Sequence, residues 1–135
     1  MNPREVVAYV NGVALATDKV AVLVVDDSPD QRMLLLKYLE RAGCDVMIAS
    51  TAEEAISACN ERAQELIVID LVLPGMDGWD LAAHIHESYP TAALVITSVL
   101  DKRRYPAGLA TLPKPFTGAQ VRQVLQDSVP RWSAA

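Results

Sequence analysis

The chain has 135 residues, of which 51% are hydrophobic and 21% charged, and its formal net charge is −5 at pH 7. That is enough for one domain with a sizeable core, and the composition is globular rather than disordered. An acidic chain repels nucleic-acid phosphates, which argues against DNA or RNA as a partner. No apolar run approaches the ~18 residues of a membrane span, and Met1-Asn2-Pro3-Arg4-Glu5 lacks the order of a signal peptide.

Residues 1–18 form an N-terminal extension with two readings. Val6-Val7-Ala8-Tyr9-Val10 and Val13-Ala14-Leu15-Ala16 flank Asn11-Gly12, a pair suited to a type I′ hairpin turn, and the alternative is a disordered leader. The domain proper is expected over 19–135. Val20-Ala21-Val22-Leu23-Val24-Val25 is wholly apolar and β-branched, as in a strand buried on both faces. Ser28-Pro29-Asp30-Gln31 opens a helix: Ser28 caps, Pro29 suits the first position, and Gln31 completes a capping box. Leu35, Leu39 and Ala42 share a face, and Gly43 stops the helix.

The cycle then repeats. Asp45-Val46-Met47-Ile48-Ala49 is strand-like, and Thr51-Ala52-Glu53-Glu54 is a second capping box. Leu66-Ile67-Val68-Ile69 is a third strand, followed by a turn-rich loop. Asp77 caps a helix that runs to about Ser88. Ala92-Ala93-Leu94-Val95-Ile96 is a fourth strand, and a weaker fifth lies near Leu109–Leu112. Thr117-Gly118-Ala119-Gln120 is a third capping box before a last helix through Val121, Val124 and Leu125. Strands separated by single helices imply parallel pairing with right-handed crossovers, hence an α/β three-layer, doubly wound sandwich.

In such a sheet, ligands bind beyond the carboxyl ends of the strands. The first strand ends in Asp26-Asp27, the third in Asp70, the fourth in Thr97 and the fifth in Lys114. Three clustered acids raise one another's pKa and call for a cation. An all-oxygen set of this kind suits Mg²⁺. A cation with an ammonium and a hydroxyl beside it suits a transferring phosphoryl group, and a carboxylate can itself be the nucleophile.

Asp26-Asp27, Asp70 followed by Pro74-Gly75-Met76-Asp77-Gly78, Thr97, and Lys114-Pro115-Phe116 together resemble the receiver domains of bacterial response regulators. The resemblance spans roughly Val20 to Val129. It implies a flavodoxin-like sheet of five parallel strands in the order 2-1-3-4-5. It also implies that Asp70 is the phosphoacceptor, with Asp26, Asp27, Asp70 and the backbone carbonyl of Val72 around Mg²⁺. Thr97 is similar to the switch hydroxyl and Lys114 to the ammonium that pairs with the phosphoryl group, and the Lys114–Pro115 bond is expected to be cis.

The function so implied is a stand-alone, cytoplasmic receiver, phosphorylated by a sensor histidine kinase or phosphotransfer protein. It would switch protein–protein contacts with an unknown downstream protein. No enzymatic turnover beyond its own phosphorylation and dephosphorylation is expected, nor any membrane or nucleic-acid partner, and the chain would be a monomer or weak dimer.

Departures from the family concern the output side. Thr111 stands where an aromatic switch is usual, and Ser98 replaces the smaller alanine. The stretch from Thr97 to Lys114 is short, so the fourth helix should be shortened or missing; Pro106 and Gly108 also disfavour it. A pseudo-receiver that binds partners without phosphorylation-dependent switching is therefore the alternative. A metal-dependent phosphohydrolase would need an acid two residues beyond the nucleophile, where Val72 stands.

The other polar residues read as structural. His84 and His86, two apart on a helix, face different ways. Cys44 and Cys59 match no metal spacing and read as reduced, half-buried thiols. Lys102-Arg103-Arg104 reads as a solvated loop or a partner patch, and Trp79 and Trp132 as packing residues.

Overall fold

The sheet is built where the sequence has unbroken apolar runs. The computed structural model describes residues 9–10, 13–14, 19–98 and 109–132. Five strands pair in parallel: β1 (Val20–Val25), β2 (Cys44–Ala49), β3 (Leu66–Asp70), β4 (Ala93–Ser98) and β5 (Ala110–Pro113), in the order β2-β1-β3-β4-β5. This is the flavodoxin-like order 2-1-3-4-5, wound outward in both directions from the first strand. All five residues of β3 are buried, as its central position requires.

Period-2 alternation divides each strand between two cores. Val20, Val22 and Val24 point with Val68 and Val95 toward α1 (Pro29–Arg41) and α4 (Gly118–Ser128), burying Leu35, Leu39, Val121 and Leu125. Leu23, Val25, Ile67, Ile69 and Ile96 point the other way. They meet Ala55 and Cys59 of α2 (Ala52–Glu61) and Leu81 and Ile85 of α3 (Gly78–Ser88). Among the described residues, two helices on each face complete the three layers.

Helix starts use the expected caps, with two corrections. Thr117 and Gln120 form a full reciprocal capping box on α4, and the Asp77 carboxylate accepts from Asp80 N–H on α3. On α1 only half the box exists: Ser28 Oγ accepts from Gln31 N–H, but the Ser28 N–H already donates to Asp26 Oδ1 at 2.9 Å. The carboxylate that precedes the cap has taken the donor that Gln31 would satisfy. On α2, Thr51 Oγ1 accepts from Glu54 N–H, while the Glu54 carboxylate takes the Ser50 hydroxyl. At the other end of α1, Gly43 adopts φ of 86°, the left-handed conformation that closes a helix.

The chain leaves the domain through a packed tail. Arg131 donates to Glu65, just before β3, and to the Lys19 carbonyl, just before β1, at 2.9 Å. Trp132 Nε1 donates to the Ala42 carbonyl at the end of α1. Trp132 is thus a packing residue, whereas Trp79 is 36% exposed. Cys44 and Cys59 are buried free thiols, and burial pushes Cys44 up to about 11.

Tyr9–Val10 and Val13–Ala14 pair antiparallel, and the turn expected at Asn11-Gly12 lies outside the described residues. The expected shortened fourth helix and the Lys102–Arg104 patch fall at 99–108, outside the described residues. Among the described residues no helix is long and apolar enough to cross a membrane.

Candidate functional site

Each candidate site residue sits at a carboxyl-terminal strand tip, and parallel pairing brings tips from distant sequence together. Asp26 comes directly after β1, Asp70 ends β3, Thr97 lies in β4 and Lys114 comes directly after β5. Asp70 and Thr97 are register partners, so their side chains leave the sheet on one side. The Lys114 N–H donates to the Ser98 carbonyl at 3.0 Å, which continues the ladder to the lysine, and the Lys114–Pro115 bond is cis.

The centre is a buried ion triad. Lys114 Nζ lies 2.8 Å from Asp26 Oδ2 and 2.9 Å from Asp70 Oδ2. Asp26 is fully buried, and its second oxygen accepts from Ser28 N–H. The other Asp70 oxygen accepts from Val72 N–H at 2.9 Å. Burial raises the Asp70 pKa, opposed by the Val72 N–H and by Lys114, while the charge of Asp26 adds to the rise. Burial draws Lys114 down, yet its hydrogen bonds to Asp26 and Asp70 leave the ammonium above its ordinary value.

Two features fit this tip for a cation and an anion together. One oxygen each from Asp26, Asp27 and Asp70 lie within 4.8 Å of one another, with Asp27 exposed at the open side. Thr97 Oγ1 is buried without a hydrogen-bond partner, although a buried hydroxyl normally has one. Hard oxygen donors on one tip suit Mg²⁺, and an orphan hydroxyl suits an incoming anionic oxygen.

The loop after Asp70 is shaped by glycine. A Cβ on Gly78 would lie 2.4 Å from Leu71 Cα and 2.5 Å from the Asp70 carbonyl oxygen, so only glycine lets α3 start against the acid's own backbone. Val72 and Met76 are exposed on this loop, Val72 by 53%. His84 and His86 are exposed on α3 and belong to no metal-capable cluster found among the described residues.

Motif spacing does not single out Arg32, yet its Nη1 donates to the Asp26 carbonyl at 2.9 Å. The available signal was its position one turn into α1, five residues beyond Asp27.

The response regulator receiver domain family matches this chain over residues 22–126. The chain belongs to that family, whose members are the receiver domains of two-component signalling. The transcriptional regulatory protein ResD of Bacillus subtilis is 32% identical over 110 residues, covering 78% of this chain and 46% of that protein. The chain spans about half the length of the first curated relatives it matches.

Among solved structures, the chemotaxis response regulator CheY4 of Vibrio cholerae has a TM-score of 0.75 at 24% identity. It covers 82% of this chain and 99% of its own. NtrX from Brucella abortus reaches 0.73 at 29% identity, over 83% of this chain and 27% of its own.

Proposed function

We propose that this receiver takes a phosphoryl group on Asp70 from a histidine kinase or phosphotransfer protein, with Mg²⁺ bound beside it, and switches protein–protein contacts in response. The observation that carries this reading is the pairing of a buried Asp70–Lys114 contact with an unpartnered Thr97 hydroxyl on the neighbouring strand.

An Asp70 carboxylate oxygen attacks phosphorus as the bond from phosphorus to the donor's atom breaks, and the leaving group departs with the electron pair. Lys114 supplies fixed positive charge to the transferring group, and Thr97 Oγ1 donates to one of its oxygens. Asp26, Asp27, Asp70 and the Val72 carbonyl would hold Mg²⁺, which neutralises the developing charge when bound. The chain catalyses only its own modification and works in the cytoplasm as a monomer or weak dimer. Residues 1–18 form an extension ahead of the receiver unit, a reading supported by the short antiparallel pair Tyr9–Val10 and Val13–Ala14.

Thr111 favours a second reading. It is exposed on the edge strand β5 where relatives carry an aromatic switch, which suits an interaction module that does not switch. One experiment addresses both. Acetyl phosphate with Mg²⁺ should add one phosphoryl group, about 80 Da, and Asp70→Asn should abolish it. Labelling that persists in Asp70→Asn refutes the assignment, and a parent chain that never labels favours the interaction module.

A further inference from the structure

We propose that Arg32 is a positioning residue for the metal side of this site. Its guanidinium holds the peptide plane that joins Asp26 to Asp27, and so sets where the Asp27 carboxylate meets the cation. The inference rests on the proposed Mg²⁺ site and adds to it a residue outside the acid set.

Asp26 is held by four hydrogen bonds. Its N–H donates to the Ala49 carbonyl at the tip of β2, its carboxylate accepts from Ser28 N–H and from Lys114, and its carbonyl accepts from Arg32 Nη1 at 2.9 Å. Three of these fix Asp26 itself. The fourth fixes the start of Asp27, because the Asp26 carbonyl and the Asp27 N–H belong to one rigid peptide plane.

Asp27 is exposed, and no hydrogen bond to its carboxylate is found among the described residues. The direction of its Cα–Cβ bond therefore depends on the two peptide planes that flank it: the Ser28 N–H bond to Asp26 Oδ1 holds one, and Arg32 holds the other. Arg32 is itself tethered: its N–H donates to the Ser28 carbonyl in the first turn of α1. Its charge also reaches Glu54 at the start of α2. The Glu54 carboxyl lies below the usual carboxylate range, chiefly through the Ser50 hydroxyl and in smaller part through Arg32. Arg32 thus braces the tip of β1 from the α1 side.

Positioning and simple charge predict opposite results. A cation near three carboxylates weakens the attraction of a second cation, so removing a mere counter-charge would tighten Mg²⁺ binding. Removing a positioning contact loosens it. The probe is Mg²⁺ alone, titrated against Trp79 fluorescence in a Trp132→Phe chain. Trp79 is the neighbour of Gly78, which packs on the Asp70 backbone.

Arg32→Met, of similar length without charge or donor, is expected to weaken Mg²⁺ binding ~10-fold, as losing a partner that orients metal ligands does. Arg32→Lys, which keeps a charge and one donor, recovers most of that loss. In acetyl phosphate labelling, Arg32→Met should raise half-saturating Mg²⁺ by the same ~10-fold, and the rate at saturating Mg²⁺ should stay within ~2-fold of the parent. Arg32→Gln, polar but too short to reach the carbonyl, should show the same loss and decides the matter should the Met variant not fold. Tighter or unchanged Mg²⁺ binding in these variants overturns the positioning role while the Mg²⁺ reading stands. A parent chain with no saturable Mg²⁺ response overturns both.

Discussion

Replacing Lys114 with methionine isolates what the buried ammonium does. The lysine bridges Asp26 and Asp70, and none of the three side chains is more than 8% exposed. Methionine fills nearly the same volume, so the perturbation is electrostatic rather than a cavity. Removing one partner from a buried ion pair costs about 3–5 kcal/mol, because the remaining charge has no counterpart. Here proton uptake by Asp70 trims that figure, since burial already raises its pKa and loss of the ammonium raises it further.

The expected loss in EDTA at about pH 7 is therefore ~3 kcal/mol, or ~10 °C in Tm for a chain of this size. Linkage sets the signs. Lys114 has a raised pKa, so its contribution is complete below the ordinary 10.5 and is lost only as pH rises through the folded value. Asp70 also has a raised pKa, so the folded state holds its proton more tightly, and stability falls as pH rises from 3.8 through the folded value. The gap between variant and parent is accordingly widest near neutrality and narrows in acid. Thermal melts by circular dichroism across this range, with EDTA and with Mg²⁺, measure it. Mg²⁺ should restore more Tm to the variant than it adds to the parent. A variant within ~2 °C of the parent near neutrality in EDTA refutes the claim that the ammonium offsets the buried acids.

Gly78→Ala should cost ~3 kcal/mol by overpacking against the Asp70–Leu71 backbone. Gly75→Ala, with open space but φ of 81°, should cost only ~1 kcal/mol. Equal urea midpoints for the two would disprove the close approach. Arg131→Ala should cost ~1 kcal/mol, discounted for solvent because its side chain is 42% exposed and that of Glu65 is 33% exposed. The Arg131 guanidinium holds the Glu65 carboxyl below its ordinary 4.5, so the contribution is present above that value and lost as pH falls through the folded one. Urea unfolding at about pH 7 and about pH 3 tests this, and an equal loss at both would contradict it.

What could be read from the sequence was whatever repeats or punctuates. The apolar β-branched runs marked the three central strands to within two residues at each end, because central parallel strands bury nearly every side chain. The partly exposed edge strands β2 and β5 were placed as closely by weaker signals. Asp26, Asp70, Thr97 and Lys114 were legible because the fold class puts strand tips at the site. Contacts made only in three dimensions were not. The fate of the Ser28 N–H was decided by the Asp26 carboxylate two residues earlier, and propensity alone favoured Gln31. Glu65 and Arg131 are 66 residues apart and carry no periodic signal. Arg32 lies off the buried Leu35–Leu39 face of its helix, and its partner is a backbone carbonyl, which no residue type marks.

The hydrogen bond from Arg131 to the Lys19 carbonyl places the doorway and the exit of the folded unit side by side. Both open at the edge of the sheet where its strands begin, and the acids lie where the strands end. The six residues of β1 separate the two by roughly 20 Å at strand rise. Lys19 and Trp132 therefore mark the end of the described domain opposite the acids, and a ligand at the strand tips meets neither of them. Lys19 and Arg131 also lie close enough for a short designed linker to close the chain and for new ends to be cut elsewhere.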